Sequence, residues 1–158
     1  MFRKMRRPKQ ALSQEECNEL LKSETRGVLS VIGDDGYPYG IPLNHYYDEE
    51  AGRIYFHGAK VGHRVDAIKR DPKVSFCVYG QDELEEGDWA YHVKSVVVFG
   101  KARIVEDYEE MAAVSRKICE KFPVPEGYAD REIAKDGPAT LCISIEIESM
   151  TGKLVHEA

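Results

Sequence analysis

Arg26-Gly27-Val28-Leu29-Ser30-Val31-Ile32, then Asp34-Asp35-Gly36, then Tyr37-Pro38-Tyr39-Gly40-Ile41-Pro42-Leu43-Asn44-His45-Tyr46-Tyr47 is the stretch that decides the fold. Two β-branched and aromatic runs flank an Asp-Gly turn, a strong hairpin signal because glycine supplies the positive φ that a tight turn needs. Pro38 and Pro42 bring no backbone N–H to a ladder, so the second run is predicted to be an edge strand or to carry an irregularity. A second turn, Glu49-Glu50-Ala51-Gly52, leads into Arg53-Ile54-Tyr55-Phe56-His57. The spacing predicts three consecutive antiparallel strands.

Upstream, Ser13-Gln14-Glu15-Glu16 has the spacing of a capping box, in which the Ser oxygen and the Glu carboxylate each satisfy an orphan N–H. It predicts a short helix ending near Glu24, with Cys17, Leu20 and Leu21 as its apolar stripe. Downstream, Gly62 to Arg70 has helical spacing, with Val61, Val65 and Ile68 on one face, and stops at Asp71-Pro72. Val74 to Tyr79 reads as a strand and Gly80 to Asp88 as an acidic loop. Trp89 to Val105 is a long extended run bent at Gly100. Tyr108 to Phe122 is a helix ended by Pro123-Val124-Pro125. The polar stretch to Pro138 reads as loop, and Thr140 to Ile147 alternates as a half-buried strand. Six or seven strands in meander order favour an antiparallel sheet closed into a small barrel with a few flanking helices, a mainly β fold, over a parallel doubly wound sheet.

The length of 158 residues suits one domain, here 13–158 behind a basic arm over 1–12. Trp89 and Tyr91 are expected to pack the barrel or to lie over a site as an aromatic lid. A formal net charge of −6 argues against a general nucleic-acid binder. Cys17, Cys77, Cys119 and Cys142 have no zinc spacing and read as reduced, mostly buried thiols. His45 and His92 have no second ligand near them in sequence, so no metal is expected. The basic start, Met1 to Lys9, is followed by no apolar run of membrane length, and a cytoplasmic protein with no membrane partner is the expectation. Dinucleotide and Walker A glycine motifs are absent.

The chemistry concentrates in Tyr55 to Ile68. A strand end passes through a glycine turn into a helix start that carries Lys60, His63 and Arg64. Cations disfavour a helix N-terminus by itself, whereas its free N–H groups attract anions. The pattern therefore suits a phosphate held by an Arg64 fork and a Lys60 point charge; solvated surface charges are the alternative. His57, at the strand end, suits hydrogen bonding or proton transfer, or a structural imidazole.

Gly27 to Ser30, Asp35 to Asn44, Ile54 to Ala59, Gly62-His63-Arg64 and Val74-Ser75-Phe76, in this order and spacing, resemble the FMN-binding split-barrel proteins related to pyridoxamine 5′-phosphate oxidase, most of all their nitroimidazole-resistance branch. The resemblance implies a six-stranded split β-barrel forming a homodimer with FMN at the interface. It implies that Ile41, Pro42, Leu43 and Asn44 line the flavin ring, and that His57, Gly58 and Ala59 follow its edge. Lys60, Gly62, His63 and Arg64 would take the phosphate, and Ser95 and Val96 would face the site from one chain or the other. His57 is the implied catalytic residue. The implied function is an FMN-dependent oxidoreductase that passes electrons from NAD(P)H or a similar donor to a small, planar, electron-poor acceptor such as a nitroimidazole. The alternatives are a flavin- or haem-binding module without turnover and a barrel with an empty pocket. The parent oxidases typically carry Ser-Arg-Lys where this chain has Gly62-His63-Arg64, and their C-terminal arginine pattern is missing, which argues against oxidation of pyridoxamine phosphate itself.

Overall fold

The hairpin forms as its turn requires. In the computed structural model, which describes residues 1–158, Asp35 and Gly36 take positive φ values of 55° and 77°. Strand β1 (Arg26–Ile32) pairs antiparallel with β2 (Pro38–Asn44) from Arg26↔Asn44 to Ile32↔Pro38. The prolines sit on an edge strand, as their missing donors demand.

The expected third partner differs. The run breaks at His45, and its tail is a separate strand, β3 (Tyr46–Asp48), which pairs with β4 (Arg53–Ala59) rather than with β1. The break has a cause: His45 is fully buried, and its Nε2–H donates to the Leu21 carbonyl at 2.7 Å. With β5 (Lys73–Glu83), β6 (His92–Val105) and β7 (Thr140–His156), the strand order is β2-β1-β5-β6-β7-β4-β3. One run of chain thus supplies both edges of the sheet, and the sheet curls to bring them together. The sheet has seven strands where six were expected, because the single run counts twice.

Strand β7 reaches His156 instead of ending at Ile147, since its second half pairs along the whole length of β6 as far as His92↔His156. The register slips between Phe99 and Gly100, where the bend was expected. Helix α1 (Gln14–Ser23) has the full Ser13/Glu16 capping box. Helix α2 (His63–Arg70) buries Val65 and Ile68, while Val61 is 81% exposed and lies outside the helix. Helix α3 (Tyr108–Cys119) stops a turn early. The stretch read as loop contains a further helix, α4 (Tyr128–Asp136). It starts from Gly127 without a side-chain cap and buries only Ile133, so it lacks both signals by which a helix is recognised from sequence.

Inward positions alternate along the strands, with Leu29, Phe56, Phe76, Val96 and Ile143 filling the barrel, and Leu20 and Leu21 of α1 close it. A second cluster, including Tyr55, Met111, Ile118 and Cys142, lies under α3 outside the barrel. Trp89 is 78% exposed and Tyr91 is also exposed, so neither packs the barrel. All four cysteines are free, and burial pushes the Cys142 thiol up to about 12. The N-terminal arm lies against the sheet, with Phe2 stacked on Phe99 and Ala11 bridged to Lys153. No helix is long and apolar enough to cross a membrane.

Candidate functional site

Strand β4 pairs with β7 over its whole length, from Arg53↔Glu146 to Ala59↔Thr140, but β3 covers only Arg53, Ile54 and Tyr55 on its other side. Phe56 to Ala59 therefore present a free edge, and β2, paired only with β1, presents another. Extending the Tyr46↔Tyr55 register back through His45 would set Asn44 opposite His57 and Leu43 opposite Gly58. That ladder does not form; Asn44 and His57 instead share the wall of one cavity. Ile41, Pro42, Leu43 and Asn44 on one lip, and His57, Gly58 and Ala59 on the other, thus border an open seam in the barrel. Ile41 and Leu43 pack on the core from their side, whereas Pro42 and Asn44 are exposed. Main-chain polar groups along an open seam need partners, and a planar molecule with donors and acceptors on its rim can supply them.

At the end of β4 the chain turns into α2 through Gly62, whose φ of 127° is strained for any residue with a side chain. The helix N-terminus has no side-chain cap. Arg64, in its first turn, folds back over β4, where a Cβ on Gly58 would overlap the Nη2 atom. Its Nε is buried without a hydrogen-bond partner, and no carboxylate pairs with it. Burial holds the Arg64 guanidinium below its ordinary value, with the nearby Tyr39 hydroxyl opposing. The seam thus ends at a half-buried cation beside the unpaired N–H groups of a helix start, an arrangement whose chemistry suits an anion.

The other predicted residues divide. His57 is exposed to the seam and makes no hydrogen bond. The desolvation of its surroundings, and then the Arg64 charge, lower its pKa, so the imidazole is neutral at pH 7. Lys60 is exposed and borders a neighbouring hollow with Lys69. His63 does not join Arg64 as a phosphate ligand through Nε2: that atom accepts the Asp34 N–H at 3.1 Å, and the ring stacks on Tyr39 at 4.3 Å. It ties α2 to the β1–β2 turn instead. Ser95 and Val96 are not brought to the seam of their own chain. They stand on β6, with β7 between them and β4, and the Val96 side chain is wholly inside the barrel. The alternation of β6 turns every second residue inward, and Val96 is one of those.

Sequence reasoning missed Tyr39 beside Arg64 and the contribution of α3 and α4 to the wall behind His57. In the sequence Tyr39 is one more aromatic of the hairpin run, and α4 has neither a cap nor an apolar stripe. The donor set fits a flavin phosphate: an unpaired guanidinium, an uncapped helix start and a slot with free main-chain edges, all on one side of the barrel.

The model of the pyridoxamine 5′-phosphate oxidase family matches residues 13–154. Among solved structures, a candidate 5-nitroimidazole antibiotic resistance protein from Bacteroides thetaiotaomicron is 18% identical, with 91% of this chain and 86% of that one covered and a TM-score of 0.76. An FAD-binding protein from Mesorhizobium loti is 24% identical, covering 92% and 96%, at a TM-score of 0.65. The FAD and heme binding protein from Mycobacterium smegmatis is 19% identical, covering 95% and 74%, at 0.70. At such identities the likeness is one of fold. No curated protein sequence matches the chain. The family match takes in the hairpin, both lips of the seam and Arg64, and the chain belongs to the pyridoxamine 5′-phosphate oxidase family.

Proposed function

We propose that this chain is an FMN-dependent oxidoreductase that reduces a small, planar, electron-poor acceptor, with nitroimidazoles in that class and NAD(P)H or a similar molecule as donor. The observation that carries the reading is Arg64: a half-buried cation without a counter-ion, its Nε buried and unpartnered, at an uncapped helix start where the open seam ends. Bound FMN would supply the two-electron chemistry. Arg64 and the α2 N–H groups would hold its phosphate, with Lys60 adding long-range attraction. Ile41 and Leu43 would give the ring an apolar bed, and Gly58 leaves Arg64 room to reach across β4. His57, neutral at pH 7, would accept a proton first and then deliver it to the reduced acceptor.

The working unit in this reading is a homodimer. The second copy would sit on the outer face of β1, β5 and β6, which exposes Ile32, Tyr79 and Phe99, the last with Phe2 of the N-terminal arm stacked on it. Ser95 lies on that face, so it and the backbone at Val96 would serve a seam only across the dimer. Four free thiols suit a reducing, cytoplasmic setting.

The test is the absorbance spectrum and solution mass of the purified protein, followed by anaerobic NAD(P)H. A dimer with a flavin spectrum that bleaches supports the oxidoreductase. A flavin that no donor reduces supports a binding module, and protein that takes up no FMN overturns both.

A further inference from the structure

Behind His57 lies a cavity of about 500 Å³ between α3, α4 and the end of β4, within the size range of small-molecule sites. Met111, Ile118, Phe122 and Ile133 line it with apolar surface, and Asn44 and His57 line it from the two lips of the seam. Glu132 and Asp136 of α4 line it too, and no lysine or arginine does. Glu132 is half-buried and has neither a hydrogen bond nor an ion pair. Asp136 has only the exposed Lys135, at 3.8 Å. The Glu132 charge lies close enough to the neighbouring Cys119 to add to the burial that raises that thiol.

The two ends of the site therefore differ in sign. The seam ends on Arg64, while the cavity that shares Asn44 and His57 with it is lined by two carboxylates and apolar side chains and by no basic one. A ligand bearing phosphate or carboxylate would be repelled there. A planar apolar body with a positive or N–H-donating group would give Glu132 the partner it lacks.

We infer that this cavity is the ligand chamber of the site, that it takes neutral or cationic planar aromatics whose amidine, amine or ring N–H meets Glu132, and that it rejects anionic ones. The chamber's role as a substrate site rests on the flavin reading; its binding preference does not. It also explains why a member of this family need not act on pyridoxamine phosphate: the chamber has no cation for that substrate's phosphate.

The test is calorimetric titration of the purified, FMN-saturated protein with 2-naphthamidine and 2-naphthoate, which differ in the charge of one substituent. The amidinium is expected to bind at least tenfold tighter and to shift the flavin absorbance band. Glu132→Gln should reduce the preference at least fivefold with FMN affinity unchanged. Ala129→Trp, which fills the cavity from α4, should abolish amidinium binding. Equal or tighter naphthoate binding, or amidinium binding indifferent to both substitutions, would overturn the inference. The two readings fail separately. Glu132-dependent amidinium binding by protein that takes up no FMN removes the flavin and keeps the chamber; FMN uptake with no charge preference removes the chamber and keeps the flavin.

Discussion

Replacing Arg64 with methionine should move FMN affinity and the stability of the flavin-free protein in opposite directions. The apolar stem is retained, and the guanidinium, which has a buried Nε with no partner, is removed. Each hydrogen bond from a charged group contributes about 1.5–3 kcal/mol. A two-pronged grip on the phosphate is therefore worth roughly 3–6 kcal/mol, and water filling the vacated site would recover part of it. An affinity loss of roughly 30- to 1,000-fold is expected at about 1.4 kcal/mol per decade. In the flavin-free protein the same substitution relieves a desolvated, unpaired donor. A gain of about 1 kcal/mol, or roughly 2–4 °C in Tm for a domain of this size, follows. Fluorescence titration with FMN and thermal unfolding of stripped protein read the two effects. Unchanged FMN affinity would refute the placement of the phosphate, and a less stable flavin-free variant would show that Arg64 has a structural partner.

Gly58→Ala should weaken FMN binding about as much as losing one prong of Arg64, at least tenfold, because the new Cβ displaces the guanidinium while the far end of that side chain can swing away; full affinity in the variant would show that Arg64 does not need its place over β4. His57→Gln should retain flavin and slow turnover, and the wild-type kcat/KM should rise as the pH falls below 6.5 and the imidazole takes up its proton, a rise that the residual activity of the variant lacks; loss of flavin itself would make His57 a binding residue. Burial, reinforced by the Lys121 charge, holds the His45 pKa down to about 4. The unfolded chain takes up this proton near pH 6.5 and the folded one only near 4, so stability is intact above 6.5 and falls as the pH drops to 4, by about 3 kcal/mol. Urea denaturation at pH 7 and pH 4.5, with His45→Gln as the control, measures this, and an equal pH loss in the variant would remove His45 as the cause.

Local physics was enough for much of the fold. The Asp35-Gly36 turn, the Ser13/Glu16 capping box, the stop at Asp71-Pro72 and the bend at Gly100 each arise from neighbours a few residues apart, and each is where the sequence placed it. The Lys60–Arg64 cluster was visible for the same reason: cations at a helix start conflict with the helix unless something else uses them. What depends on distant chain was hidden. Tyr37 to Tyr47 is one extended run by every local rule, and it splits only because the buried ring of His45 bonds to Leu21, 24 residues away. His63 looked equivalent to Arg64 until the β1–β2 turn came near enough to take its Nε2. The inward face of Val96 and the existence of α4 are likewise consequences of packing. Which cations stand ready for a ligand, and which are already spent, is decided when strands remote in sequence meet, because hydrogen-bond partners are assigned by three-dimensional proximity.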